Sequence, residues 1–314
     1  MDDAPHLDPD ADAFVRRMRE RGAPPFDTLP LPVAREMYRR QSRYFGGDSL
    51  PMASVEAAAA HGPAGPVPLR VYRPHGLAPG PAPATLFCHG GGWTVGDLAS
   101  HDKVCRRIAA AAGCVVVAVD YRLAPEHPFP AAVEDAVAAL GEVAERAAAF
   151  GIDPDRLAVA GDSAGGNLAA VAAIAARDAG LALRGQVLIY PSTDNRLDAP
   201  GYPSRARNAG VLPLTWALVE HFARLYRPIP DDWRASPIRV PDAACLAPAL
   251  LVVGDRDVLH DEGHRYADRL AAAGVAVERH DVPGMIHGFI EISGAIRAAD
   301  AAFERIGAWL RRRL

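Results

Sequence analysis

Short apolar runs alternate with longer stretches of helical spacing along most of this chain. Runs at 68–72, 84–88, 115–119, 157–160, 187–190, 250–253 and 275–282 predict strands. Between the later runs, helical spacing predicts helices over 101–112, 130–149, 165–179 and 262–273, with a last helix over 296–313. Near the start, shorter helical patterns at 12–21 and 32–44 are interrupted by prolines. Apolar strands alternating with helices predict an α/β domain built on a mostly parallel sheet covered on both faces. The opening strands, which no helix separates, are free to pair antiparallel.

One stretch breaks this rhythm. Between Pro191 and Pro248 the chain has loop chemistry around a single helical pattern at 214–226, which carries Trp216, Leu218, Phe222 and Leu225. That is too long for an ordinary connection. The expected organisation is therefore a catalytic domain made of 51–191 and 236–314, with an inserted segment at 192–235. Together with the N-terminal segment 1–50, the insertion is expected to form a lid over the strand ends; the competing reading is a peripheral excursion whose aromatics join the core. The stretch 63–83 is turn-rich, and no internal repeat is evident.

Half of the 314 residues are hydrophobic, enough for one large α/β domain with a small appended cap. A formal net charge of −4 gives no reason to expect nucleic acid as a partner. The acidic start, Met1-Asp2-Asp3-Ala4-Pro5-His6, lacks the basic region and apolar core of a signal peptide. No apolar run approaches the roughly 18 residues of a membrane span, so no stable membrane association is expected. Cys88, Cys105, Cys114 and Cys245 form no C-x-x-C pair and read as reduced, buried thiols of a cytoplasmic protein. The basic run Arg311-Arg312-Arg313 is expected at the C-terminal end of the last helix, where cations suit the helix dipole.

The most informative chemistry is Gly161-Asp162-Ser163-Ala164-Gly165, which follows the apolar run at 157–160 and opens a helical stretch. A serine flanked by glycines between a strand and a helix reads as a nucleophile elbow. The sharp turn presents the Ser163 hydroxyl at the carboxyl edge of a sheet, with the N–H of Ala164 beside it. A second glycine turn, His89-Gly90-Gly91-Gly92-Trp93, ends the strand at 84–88. Its spacing fails as a nucleotide-phosphate loop, because Gly96 comes one residue late for G-x-G-x-x-G and no lysine follows. It suits an oxyanion hole, where backbone N–H groups approach the oxygen that becomes negative during acyl transfer.

A serine hydroxyl needs a base, and the base needs an orienting carboxylate; in hydrolase order both follow the serine. His287, in the loop Gly284-Met285-Ile286-His287-Gly288-Phe289 just past the last predicted strand, is the candidate base. The strand at 250–253 ends in Gly254-Asp255-Arg256-Asp257, and the pattern alone leaves Asp255 and Asp257 both open as the acid. His260-Asp261-Glu262-Gly263-His264 places two histidines four apart, but Asp261 occupies the position where a zincin has glutamate, and Gly263 weakens the helix. No metal is expected there.

With these residues in view, the chain resembles the hormone-sensitive-lipase-like family of α/β-hydrolases, the bacterial carboxylesterases with a Gly-Asp-Ser-Ala-Gly elbow. The resemblance runs from about residue 68 onward and rests on segments 89–93, 96–97, 120–126, 129–132, 161–166, 190–191, 236–237 and 287–289. It implies the α/β-hydrolase fold, with a mostly parallel central sheet flanked by helices and a helical cap. It also implies Ser163 as nucleophile, His287 as general base and the N–H groups of Gly91, Gly92 and Ala164 as oxyanion donors. Asp257 is the implied acid, because the family's acid stands before a Pro-Leu pair that corresponds to Val258-Leu259, where valine departs from the usual proline. Arg122 and Glu126 are implied to hold loops behind the site. Relatives often dimerise, so a homodimer is expected.

The expected activity is that of a serine carboxylesterase acting on short- to medium-chain carboxylic esters through an acyl-enzyme, without metal or organic cofactor. Trp93, Trp216 and Phe222 are candidates for lining an apolar substrate pocket under the lid, and equally for packing. Two alternatives remain open: a deacetylase or amidase on the same triad, and a non-catalytic ligand-binding receptor on this fold. Plant receptors of the latter kind typically lose the triad histidine, which is present here.

Overall fold

The apolar runs at 84–88, 115–119, 157–160, 187–190 and 250–253, at the centre of the computed structural model, are buried throughout, as unbroken apolar runs require. The structure describes residues 6–22 and 24–314; the acidic start at 1–5 lies outside them. The strands are β1 (Ser54–Gly62), β2 (Gly65–Arg73), β3 (Ala82–Cys88), β4 (Val115–Val119), β5 (Ile152–Asp162), β6 (Gly185–Ile189), β7 (Ala249–Gly254) and β8 (Val277–Val282). The helices are α1 (Pro9–Glu20), α2 (Leu31–Phe45), α3 (Asp102–Ala112), α4 (Ala131–Glu145), α5 (Ala164–Asp178), α6 (Pro203–Arg207), α7 (Trp216–Tyr226), α8 (His260–Ala272) and α9 (Ala298–Arg313).

The eight strands form one sheet in the order β1-β2-β4-β3-β5-β6-β7-β8. The β1–β2 hairpin and the β2–β4 pair are antiparallel, as the lack of intervening helices allows, and every pair from β4 to β8 is parallel. Every residue of β4 and β7 is buried, so both faces of the sheet are covered, with α3 packed on α9 and α4 packed on α5. The register matters most for function. Cys88 pairs with Gly161, Asp162 with Ile189 and Gly254 with Val282, which brings the carboxyl ends of β3, β5, β7 and β8 to one edge. Sites in open α/β sheets form at that edge.

Two elements differ from the sequence expectation. Strand β1 is absent from it because its mostly exposed, alanine-rich edge carries little apolar alternation to signal a strand. It is held instead by its hairpin with β2, which begins inside the stretch that reads as turn-rich. The insertion also contains α6 as well as α7; five residues of helix leave too short a period to read.

The N-terminal helices and the insertion meet in a second apolar cluster. Ala34 of α2 joins Leu218 and Phe222 of α7, Leu214, and Val95, Val258 and Leu259 beside the strand ends, with Phe26 and Tyr38 packed against them. Helix α2 is tied down by charge as well: Arg35 donates to the carbonyls of Thr94 and Ala124 and to both carboxylate oxygens of Glu126. Arg122 is bound to Asp135 and Glu134 in the opening turn of α4. Glu126 and Arg122 thus both hold loops. Cys88, Cys105 and Cys114 are buried free thiols as expected, but Cys245 is exposed, because it lies in a surface turn before β7 and not in a core element. Burial pushes the Cys88 thiol up to about 12, leaving it inert as a nucleophile. The basic run lies in the last turn of α9, where Arg312 pairs with Glu278 of β8.

Candidate active site

Ser163 stands between β5 and α5 with φ 55° and ψ −119°, a left-handed conformation that a non-glycine residue adopts only when its surroundings impose it. The surroundings here are specific. The Ser163 N–H donates to the Ile189 carbonyl at 2.9 Å, and the Ser163 carbonyl accepts from Ser192 and Asn167. A side chain on Gly165 would overlap the carbonyl of Cys88 in the neighbouring strand, so only glycine lets α5 start this close to β3.

His287, in the loop after β8, places Nε2 2.9 Å from Ser163 Oγ. Its Nδ1 lies 2.5 Å from Asp257 Oδ2. The other Asp257 oxygen accepts the Leu259 N–H at 2.8 Å, and the Asp257 carbonyl accepts from the Asn208 side chain. These contacts fix the carboxylate before it meets the imidazole. Asp255, the competing candidate, is not joined to His287: its Oδ1 is buried without a hydrogen-bond partner, and the imidazole Nδ1 is taken by Asp257. All three joined side chains are buried, Asp257 almost completely. Burial disfavours a charged imidazole, yet the Asp257 charge and hydrogen bond outweigh it, and the His287 pKa lies above its ordinary value.

The glycine turn after β3 faces the elbow. Among the described residues, none of the N–H groups of Gly91, Gly92 and Ala164 donates to another protein group, which leaves them for an incoming oxygen. The Thr94 and Val95 N–H groups close the turn onto the Gly91 carbonyl. Gly92, at φ 57°, sits against the ring of Phe222, and a Cβ there would overlap that ring. Of the three aromatic candidates, Phe222 is therefore the one beside the oxyanion turn. The Trp93 ring stacks on Tyr226, with centroids 4.3 Å apart and planes within 3°, and belongs to the main core. Trp216 packs against the cap cluster beneath the guanidinium of Arg205.

A buried polar group supports the turn, and the sequence pattern does not single it out. Asp162 Oδ1 accepts the Gly90 N–H and lies 3.3 Å from His101 Nε2. Glu291 is close to the same imidazole and accepts the Tyr38 hydroxyl of α2 at 2.5 Å. Tyr121 donates to the His89 carbonyl. Burial pushes the Glu291 carboxyl up to about 7, even with the opposing charge of His101 nearby. These residues are spread over α2, the start of α3, the loop after β4, the end of β5 and the loop after β8, so no local motif contains them.

A family model for the alpha/beta hydrolase fold matches residues 85–291 of the chain. Esterase LipI of Mycobacterium tuberculosis is 44% identical over 261 residues, 81% of each chain. The ethyl acetate hydrolase of Pseudomonas putida is 38% identical over 310 residues, 94% of this chain and 95% of the relative. Among solved structures, an ester-hydrolase from the metagenome of Lake Arreo superposes with a TM-score of 0.93 at 38% identity, covering 98% of both chains. A hyperthermophilic esterase from Pyrobaculum calidifontis superposes at 0.91, with the same identity and coverage.

Proposed function

This chain belongs to the alpha/beta-hydrolase family, and from that premise we propose that it is a serine carboxylesterase acting on short- to medium-chain esters. The observation that carries the reading is the buried hydrogen-bonded line from Ser163 through His287 to Asp257. In the proposed reaction, Ser163 Oγ attacks the ester carbonyl while His287 Nε2 takes its proton. Asp257 holds the imidazole by its Nδ1–H and stabilises the imidazolium. The carbonyl oxygen, now negative, accepts the N–H groups of Gly91, Gly92 and Ala164. His287 then protonates the departing alkoxide, leaving an acyl-enzyme on Ser163. Water, deprotonated by the same histidine, attacks the acyl carbon and releases the acid.

The apolar cluster shared by α2 and α7 supports a lid built from the N-terminal segment and the insertion, with Phe222 bounding the acyl or alcohol pocket. A covered site of this kind favours small soluble esters over lipid aggregates. No helix among the described residues is long and apolar enough to cross a membrane. Within the same reading the protein works in the cytoplasm, which cell fractionation tests.

The decisive experiment is hydrolysis of p-nitrophenyl esters from acetate to decanoate by the wild type and by Ser163→Ala, alongside matched amides. Turnover of short esters that disappears in the variant is the expected result. Turnover that survives in the variant overturns the mechanism, and cleavage of amides alone overturns the substrate class.

A further inference from the structure

Helix α8 carries chemistry that ester hydrolysis leaves unused. His260 and His264 stand four residues apart, one helical turn, with ring centroids 4.6 Å apart. By sequence the pair fails as a zincin because it lacks the glutamate that would serve as base. The fold adds a donor which that spacing does not reveal. Asp281 of β8, seventeen residues beyond His264, places Oδ1 2.7 Å from His264 Nε2. The donor atoms of His260, His264 and Asp281 all lie within 4.8 Å of one another. We propose that these three side chains bind one divalent transition-metal ion, of the zinc class, at a site separate from Ser163 and outside the ester chemistry.

The donor set selects the ion. Two imidazoles and one carboxylate suit zinc, nickel or copper, whereas magnesium and calcium favour all-oxygen shells. Zinc bonds of about 2.0–2.2 Å in tetrahedral geometry put neighbouring donors roughly 3.3 Å apart. One donor pair stands at 2.7 Å and none is more than 4.8 Å apart, so side-chain rotations of modest size seat the ion, with water completing its shell. The imidazole of His260 is already oriented. Its Nδ1 lies 2.9 Å from Asp261 Oδ1, and a carboxylate that accepts the Nδ1–H holds the tautomer whose Nε2 lone pair is left for the ion. Asp261 is itself fixed, because its Oδ2 accepts the Ser204 N–H of α6 at 2.6 Å. The nearby cation Arg265 is turned away onto the Tyr202 ring and the Pro200 carbonyl. Both histidines are partly exposed and Asp281 is about half exposed, so an ion reaches them from solvent without movement of the cap.

The position gives the site a structural consequence. Helix α8 begins three residues after Asp257, and β8 leads into the loop that carries His287. A bound ion ties the element after the acid to the strand before the base without touching either group.

The test uses the full chain without a polyhistidine tag. Zinc binding is measured by competition with a chromophoric chelator, and the thermal unfolding midpoint is recorded with and without zinc chloride. One equivalent bound at micromolar affinity, with a raised midpoint, is expected. His264→Gln and Asp281→Asn should each weaken binding at least tenfold while retaining ester turnover, which reports that they are folded. His61→Gln, on the far hairpin beside Glu142, should bind as the wild type does, and magnesium should have no effect. Absence of zinc binding by the wild type overturns the proposal. So does undiminished binding by Asp281→Asn, an exposed substitution that keeps the side chain's shape.

Discussion

The carboxylate of Asp162 accepts the Gly90 N–H at 2.9 Å, linking the residue before Ser163 to the turn that carries the N–H groups of Gly91 and Gly92. Seventy-two residues of chain separate the two. The bond therefore sets the distance between Ser163 and the N–H groups of Gly91 and Gly92. Asp162→Ala leaves the buried Gly90 N–H only its longer contact with His101 Nε2 at 3.3 Å, which costs about 1 kcal/mol of stability. It also loosens the donors, and a misplacement of about 1 Å lowers turnover roughly 100-fold. Steady-state kinetics should show the loss in kcat with KM little changed; an unaltered kcat would refute the link.

The two aspartates after β7 should behave differently. Asp257 meets His287 Nδ1, whereas Asp255 Oδ1 is buried without a hydrogen-bond partner. Asp257→Asn should lower kcat by about 10⁴-fold, because the amide no longer holds the productive tautomer. Asp255→Asn should cost less than about tenfold by the same reasoning. Kinetics on the pair of variants decides it, and a reversed order would make Asp255 the acid.

Activity should fall on acidification at a pH above 6.5, the ordinary histidine value. His287 must be neutral to take the Ser163 proton. Burial opposes its charging, but Asp257 above all, then Glu291 and Asp162, outweigh that and raise its pKa. The acid limb of kcat/KM therefore lies above the ordinary value, and protonation of His287 below it abolishes attack. Glu291→Gln removes one of the charges that favour the imidazolium and should move the limb to lower pH. A limb that stays fixed would show that Glu291 does not act on His287.

Phe222 of α7 lies against Gly92, so trimming it opens space beside the glycine turn after β3. Phe222→Ala should increase the ratio of decanoate to acetate ester turnover. It should also destabilise the protein by about 3 kcal/mol, as expected for a buried phenylalanine. Chain-length profiles and urea denaturation read the two effects separately. An unchanged profile would assign the ring to packing alone.

Stability of the insertion rests on a buried ion pair. Arg205 of α6 donates to Glu262 of α8 at 2.7 Å, and Glu262 also accepts the Thr193 N–H. Removing the cation strands a carboxylate that is 1% exposed. Arg205→Ala should therefore cost about 3–5 kcal/mol, a typical penalty for breaking a buried pair. Urea denaturation measures it, and a loss below 1 kcal/mol would mean that water reaches Glu262.

How much of this protein is legible in its sequence depends on how local the determining interactions are. Ser163, the glycine turn after β3 and His287 are readable because each sits in a strand-to-loop transition whose backbone conformation restricts the residues that fit. The parallel sheet is readable because strands covered on both faces need unbroken apolar runs. Strand β1 is not, since an exposed alanine edge carries no such run.

Side-chain direction is where the sequence runs out. Asp255 and Asp257 are the same residue type two positions apart on one turn, and the path of the chain between β7 and α8 decides which carboxylate meets the imidazole. Trp93 follows the glycine turn, yet its positive φ accompanies a ring stacked on Tyr226 in the core. The group of Tyr38, His101, Asp162 and Glu291 and the placing of Asp281 beside His264 join residues from separate elements. Local backbone demands and burial are written into neighbouring residues, so the sequence determined the fold, the turn at Ser163, the loop that carries His287 and the glycine turn after β3. Contacts between distant segments depend on the register and packing of the finished sheet, so only the tertiary structure decided which aspartate meets His287, the support beneath the glycine turn and the placing of Asp281 of β8 beside the histidines of α8.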